Sequence, residues 1–385
     1  MLNHQKDKFS LPVDVTYLNA SYMSPLLKDV EKIGIKALQK KSKPFSVFPK
    51  DFFEPVTDLK KLYAELIDVK DYNKIACIPS VSYGIATVTN NIKLNPGDEI
   101  LVVEDQFPSN IYSWVKLAKQ YNAVIKTIDK PRSGDSKSKR WNENILEAIT
   151  SKTAVVAMCQ VHWADGTLFD LMAIRKKAHQ HNALLIIDGT QSVGALPFSV
   201  EKIQPDALIC AAYKWLLGPY SFGFAYFGNY FDNGSPIEEP WSNRIDSENF
   251  AGLTNYKDEY KAGANRYCMG ETANFISVPM ATQAIKQIIE WTPKAIQEYC
   301  YEISKDALKE LQELGFTIED DNYRSHHLIG IKIPEFVNIE KLQKRLIQHN
   351  IYVSFRGNYI RVSPHLYNVK EDFTKLVENI KSIIN

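Results

Sequence analysis

The chain has 385 residues, 45% of them hydrophobic and 24% charged, with a formal net charge of +1. This is ordinary folded, soluble material, long enough for two domains or one large domain with a smaller appendage, and so small a charge directs no global field at nucleic acid or an acidic surface. Five scattered cysteines without a CxxC pair argue against a disulfide framework or a zinc centre and suit a reducing cytoplasm.

The opening residues, MLNHQKDKFSLPVDV, lack the apolar core of a secretory leader, and no stretch approaches the roughly twenty apolar residues of a membrane span. Residues 1–54 hold "YLNASYMSPL" and one amphipathic helix, expected to pack on a small domain or on a second subunit. From about 74 to 227, short β-rich runs (KIACI, EILVV, AVIKTI, TAVVAMCQV, ALLIIDG, ALICAAY, FGFAYF) alternate with helical stretches such as 110–122 and 170–182. Continuous apolar runs are strands buried on both faces, and strand–helix alternation implies a largely parallel sheet with helices on both sides. The polar cluster KPRSGDSKSKR at 130–140 reads as an exposed connection.

Beyond 277 the pattern changes. A long helical pattern over 280–314 is followed by HLIGIKI, a helix over 338–349, the runs IYVSF and YIRVS, and a closing helix from about 370. The expected architecture is α/β: a large domain over 55–277 with a mostly parallel seven-stranded sheet, and a linking helix with a small α+β domain over 278–385. Residues 1–54 are expected to pack on the small domain.

Ligands of such sheets bind beyond the carboxyl ends of the strands, and unusual residues gather there. Asp188 ends an apolar strand, where it either caps the next turn or faces a buried cationic nitrogen. Lys214 follows the next strand, where it either reaches solvent along its own stem or is held desolvated for chemistry, since burial makes an amine nucleophilic. Adjacent strands put both on one rim. An aspartate so placed keeps a pyridine nitrogen protonated in pyridoxal phosphate enzymes, and Gln191 then stands near the cofactor's phenolate oxygen.

Ser80 and Ser82 in CIPSVSYGIAT follow a strand and open a helix, the arrangement that cradles a phosphate or simply caps the helix. Tyr213 is a further phosphate donor or a packing residue. Phe107, before Pro108, is a stacking ring for a planar cofactor or a core residue. His162 is a cofactor contact or a structural hydrogen-bonder. In the small domain, Arg361 between Ile360 and Val362 is a candidate for a substrate carboxylate, because a guanidinium binds carboxylates bidentately. Arg356 is a second candidate or a surface residue.

These segments resemble the class V aminotransferase family of fold-type I pyridoxal phosphate enzymes, which includes cysteine desulfurases, kynureninases and isopenicillin N epimerase-like proteins. The resemblance runs from YLNASYMSP through SVSYG, EDQFPSN, VHWADGT, IIDGTQSVGALP and AAYKWLLGP to GNYIRVSPHLYN. It implies pyridoxal 5'-phosphate as cofactor, Lys214 as its Schiff-base lysine and Asp188 at its pyridine nitrogen. It also implies Val81 and Ser82 at the phosphate, Phe107 on the ring and Arg361 on the substrate carboxylate. A homodimer with a shared site is implied too, with MGETANF carrying Thr272 to the partner's phosphate.

There are departures. The stretch 354–359 has no cysteine where desulfurases carry their nucleophile, Trp163 replaces an asparagine, and Tyr213 replaces the histidine before the lysine. The expected activity is therefore a pyridoxal phosphate enzyme acting on an amino acid or other small amine, an aminotransferase first, with a lyase or epimerase as the alternative. No GxGxxG or GxxxxGK[ST] follows a strand, which counts against a nucleotide-binding protein. The expected partner set is substrate and a second copy, with no nucleic acid and no membrane.

Overall fold

The computed structural model describes residues 2–132 and 136–384. A two-residue strand, β1 (Thr16–Tyr17), precedes the helices α1 (Lys28–Lys41) and α2 (Glu54–Leu66). The main sheet then begins with β2 (Ile75–Ile78), and helix α3 (Val81–Asn90) follows it directly. Its other strands are β3 (Glu99–Val103), β4 (Val124–Ile128), β5 (Thr153–Cys159), β6 (Leu184–Asp188), β7 (Ala207–Ala211) and β8 (Gly223–Phe227). These seven strands lie in the order β2-β8-β7-β6-β5-β3-β4. All neighbours are parallel except β8, which runs antiparallel to both β2 and β7. No helix among the described residues is long and apolar enough to cross a membrane.

The continuous apolar runs have the physical basis expected of them. Side chains alternate faces along a strand, so Ile187 and Leu208 join the core on one side of the sheet while Ile186 and Ile209 join the core on the other. All four are fully buried. A strand covered on both faces has no position for a polar residue until it ends.

The second sheet is antiparallel, with the order β12 (Ser354–Arg356), β13 (Tyr359–Val362), β10 (Ile329–Lys332) and β9 (Thr317–Ile318). The run IYVSF was expected as one strand and is two. Its first half, β11 (Ile351–Tyr352), pairs in parallel with β1, whereas β12 pairs with β13. The chain changes partners at Val353, which ties the N-terminal segment to the second sheet.

The long helix over 280–314 is also two, Ser277–Trp291 and Pro293–Glu313. Proline lacks the amide that would continue the first helix but suits the first position of the next. Thr292, at φ 64°, makes the turn, and its hydroxyl accepts the Ala295 amide at 3.3 Å. Of the polar stretch at 130–140, residues 133–135 lie outside the described residues, and a helix starts at Lys137, inside the expected connection.

Two close approaches position the site. Gly84 lets α3 lie against the sheet: a Cβ there would stand 2.6 Å from Ile209 Cγ2 and 2.9 Å from Ile78 Cδ1. Gly166, at φ +78°, and Gly330 press the loop after β5 onto β10, and a Cβ on either would collide with backbone of the other element. Gly84→Ala gains helix propensity worth about 1 kcal/mol but overpacks the helix–sheet contact by about 1–3 kcal/mol. We expect a net loss of stability in chemical denaturation; an unchanged or raised midpoint would contradict the packing argument.

Candidate active site

A cavity of about 410 Å³ opens at the carboxyl ends of the central strands. Ser80, Val81 and Ser82 line it from the start of α3, Phe107 from the loop after β3, and Asp188 and Gln191 from the end of β6. Tyr213 and Lys214, just past β7, complete the wall. Adjacent parallel strands bring the lysine and aspartate together, since Asp188 pairs with Ile209 in the β6–β7 register.

Helix α3 presents its first turn to this cavity. The Ser80 hydroxyl accepts the Tyr83 amide at 3.1 Å, leaving the Val81 and Ser82 amides as unpaired donors at the positive end of the helix dipole. Such an end binds an anion such as phosphate.

Asp188 is 7% exposed and Lys214 is 6% exposed. One Asp188 oxygen accepts the Thr190 amide at 3.0 Å. Burial pushes this carboxyl up from its ordinary value, against the Thr190 hydrogen bonds and the Lys214 charge, which pull it down. Burial likewise brings the Lys214 ammonium down to about 8, and Arg361 and Arg356 add repulsion, while Asp188 opposes the shift. The two charges feel each other without forming an ion pair. A strained turn holds the lysine: Leu217 adopts φ 52° while its amide bonds the Lys214 carbonyl at 3.0 Å. A buried β-carbon-bearing residue in that region signals a conformation imposed by its surroundings.

Phe107 and Tyr213 flank the amine, each ring centroid 5.5 Å from Lys214 Nζ. Gln191 is held from both ends: the Trp215 indole donates to its Oε1 at 2.8 Å, and its Nε2 donates to the Ser21 carbonyl at 3.1 Å. One Nε2 hydrogen is left to serve the cavity.

Four expected residues, His162, Thr272, Arg361 and Arg356, do not line this cavity. His162 is turned away, with Nδ1 3.2 Å from an Asp165 oxygen and Nε2 3.2 Å from the Glu104 carbonyl. Both ring nitrogens are engaged, which ties His162 to the loop behind the wall. Thr272 is buried elsewhere, its hydroxyl bonded to the Met269 carbonyl, among residues such as Trp241 and Lys60.

Arg361, on β13 of the second sheet, does not itself line the cavity but is tied to Trp163, which does. The arginine is 2% exposed, with Nη1 donating to the Trp163 carbonyl at 2.7 Å and Nη2 to the Ser354 hydroxyl at 3.3 Å. Its Nε has no partner. Burial, with repulsion from Arg356, lowers this guanidinium to about 9, and Tyr17 opposes the shift. A buried guanidinium with neutral partners has the uncompensated charge and the donors that a carboxylate could engage. Arg356 does not line the Lys214 cavity; it faces a neighbouring one beyond Trp163.

Residue-by-residue reading missed three participants. Thr190 holds Asp188, and its hydroxyl accepts the Ala211 amide at 3.2 Å, locking the ends of β6 and β7 together. Asn19 accepts from the Ser354 hydroxyl at 2.7 Å, which gives YLNASYMSP a part in supporting Arg361. Cys159, at the end of β5, lines the cavity beside Asp188. Its thiol is pushed well up by burial and then by Asp188, which makes it a poor nucleophile. Only Asn19 had a sequence signal, through the polar residues of its motif.

Comparison with known proteins places these features in context. The family model for class V aminotransferases matches residues 38–376. An uncharacterized aminotransferase of Bacillus subtilis, YcbU, is 24% identical over 333 residues, covering 86% of this chain and 84% of that protein. The isopenicillin N epimerase of Amycolatopsis lactamdurans is 20% identical, covering 98% of this chain and 97% of its own. Among solved structures, the apo cysteine desulfurase of Thermococcus onnurineus superposes with a TM-score of 0.84 at 18% identity, covering 100% of this chain and 99% of that one.

The electrostatics of the rim are open to a direct test. The rate at which a small aldehyde captures the Lys214 amine, in protein freed of cofactor, should rise with pH through about 8. Asp188→Asn removes the charge that raises the lysine, so the midpoint should move to lower pH. A midpoint at the ordinary lysine value, or one unmoved by the substitution, would contradict this picture.

Proposed function

The chain belongs to the class V aminotransferase family, and we propose that within it this protein is a pyridoxal phosphate-dependent aminotransferase of an amino acid. The single observation that carries the reading is the uncompensated pair at one rim, a buried lysine amine and a buried carboxylate sharing a cavity without an ion pair. Each charge is costly to bury alone. The cavity fits a flat group that brings a cationic ring nitrogen to Asp188, a phosphate to the amides of Val81 and Ser82, and a carbonyl carbon to Lys214. Phe107 supplies the stacking face, and Tyr213 a further donor for the phosphate.

When bound, that cofactor supplies an electron sink for the pair left as the substrate Cα–H bond breaks. The chain supplies the rest. Asp188, facing the ring nitrogen, keeps a proton there. Arg361 holds the substrate carboxylate through its planar fork and so sets which Cα bond faces Lys214. Lys214, lowered to about 8, is partly neutral near physiological pH, so it takes the Cα proton and returns it. Phe107, Trp163 and Tyr220 line the cavity and restrict water.

Returning the proton to a different carbon gives transamination, and returning it to the opposite face of Cα gives epimerisation. Desulfuration is disfavoured by this site. The free cysteines Cys77, Cys159, Cys210, Cys268 and Cys300 are all buried, and none lies in 354–359. The buried free thiols support a cytoplasmic location. Exposed aromatic residues support a homodimer: Phe45 is 80% exposed, Phe48 55% and Tyr256 87%. In such a dimer, Thr272 would serve the partner's cavity and not its own.

Purified protein should be yellow after incubation with pyridoxal phosphate, and Lys214→Ala should lose the visible band while keeping the far-ultraviolet dichroism of the fold. Asp188→Asn should keep the band and slow Cα-hydrogen exchange by roughly a hundredfold or more. A wild-type protein that stays colourless refutes the reading. Separately, incubation with cysteine and a reductant should release negligible sulfide. Turnover to sulfide that depends on any of the five cysteines would restore the desulfurase alternative.

A further inference from the structure

We propose that the cavity beyond Trp163 receives the substrate's side chain and selects one that ends in an anion. The inference rests on the reading above, in which Arg361 takes the α-carboxylate and Lys214 faces Cα.

This second cavity, of about 570 Å³, lies between the loops after β3, β4 and β5 and the β12–β13 hairpin. It shares Gln106 and Trp163 with the Lys214 cavity, so the indole is the partition between them. The indole N–H donates to the Asp105 carbonyl at 2.6 Å, and Phe107 meets the ring edge-on at 5.5 Å. A side chain leaving Cα past this partition enters the second cavity.

The charge there is unbalanced. Lys130, Arg132, Lys137, Lys332 and Arg356 line it, against Glu104, Asp105 and Asp165. Two of the acids are taken, Asp165 by Lys130 and Glu104 by Arg132. The third, Asp105, is exposed at the rim. Among the described residues, Lys137, Lys332 and Arg356 are left without a carboxylate partner, the Lys137 ammonium donating to the Arg132 carbonyl at 3.0 Å. The Lys137 ammonium is held below its ordinary value by burial and then by Lys332 and Lys130, as expected where cations crowd one another.

Arg356 and Arg361 share the indole. Their guanidinium carbons stand 5.4 Å and 6.0 Å from the Trp163 ring centroid. With Arg361 on the α-carboxylate, Arg356 is the matching fork for a second anion one side chain away. A neutral side chain would displace water from Arg356 and Lys332 and supply no counter-charge, which selects against it. The substrate class is an amino acid whose side chain ends in a carboxylate, phosphate or sulfonate.

The test uses the full chain and two readouts. By calorimetry, glutarate should bind wild-type protein at least about tenfold more tightly than butyrate, because only the dianion meets both guanidinium groups. Arg356→Gln should collapse that ratio to about two, and Lys332→Gln should reduce it partway. A ratio near one in wild type, or a ratio unmoved in Arg356→Gln protein that retains wild-type dichroism, overturns the proposal. On cofactor-loaded protein, glutamate, O-phosphoserine and cysteate should perturb the visible band at lower concentration than glutamine. The most potent of the three identifies the anion, and equal potency of glutamine overturns the selection. Protein that never turns yellow defeats the cofactor reading whatever the calorimetric ratio. Yellow protein with a ratio of one defeats only this inference.

Discussion

Everything in this structure serves one unfavourable arrangement, an amine kept dry beside a carboxylate it does not pair with. Lys214 and Asp188 end neighbouring strands, and both are almost fully buried. An ion pair would relieve both desolvation penalties and leave neither group available. The fold prevents it by engaging Asp188 with the Thr190 amide at 3.0 Å and by turning the lysine segment through the left-handed Leu217. The stability for this comes from the sheet behind, where Ile186, Ile187, Leu208 and Ile209 are buried on both faces.

Arg361 repeats the theme on a different sheet. It too is a buried cation with only neutral partners, the Trp163 carbonyl and the Ser354 hydroxyl. Three polar groups are therefore held short of full satisfaction at one junction. Unsatisfied buried charges at a single place are the mark of a site built for a ligand with complementary charges.

Much of this was legible beforehand, for definite reasons. Seven apolar runs became seven strands: burial on both faces leaves a continuous signal in the inner strands, while the edge strand β4 is largely exposed or half-buried and was found from its β-rich residues. Asp188 and Lys214 were recognisable because a charge at the end of such a run conflicts with its surroundings. The break between Trp291 and Pro293 was written in the proline, but the long helical period obscured it. Val353 gave no warning, since the choice of β1 or β13 as partner depends on chain more than 300 residues away in sequence. His162 also follows a strand, and its ring partners, Asp165 and the Glu104 carbonyl, are ones that position along the chain does not reveal. Cys159 looked like any core residue until the sheet register set it beside Asp188.

The loop after β5 and the start of β10 lie so close that a Cβ on Gly166 would meet the Leu328 carbonyl and one on Gly330 the Asp165 carbonyl. Thr167 is bridged to Arg324 alongside. The loop after β5 is therefore seated on the second sheet at several adjoining points. Trp163 lies on that loop, and Arg361 lies on β13, between the edge strand β12 and β10. The 2.7 Å hydrogen bond from Arg361 to the Trp163 carbonyl spans the same seam, so the guanidinium is registered against a loop of the sheet that also carries Lys214.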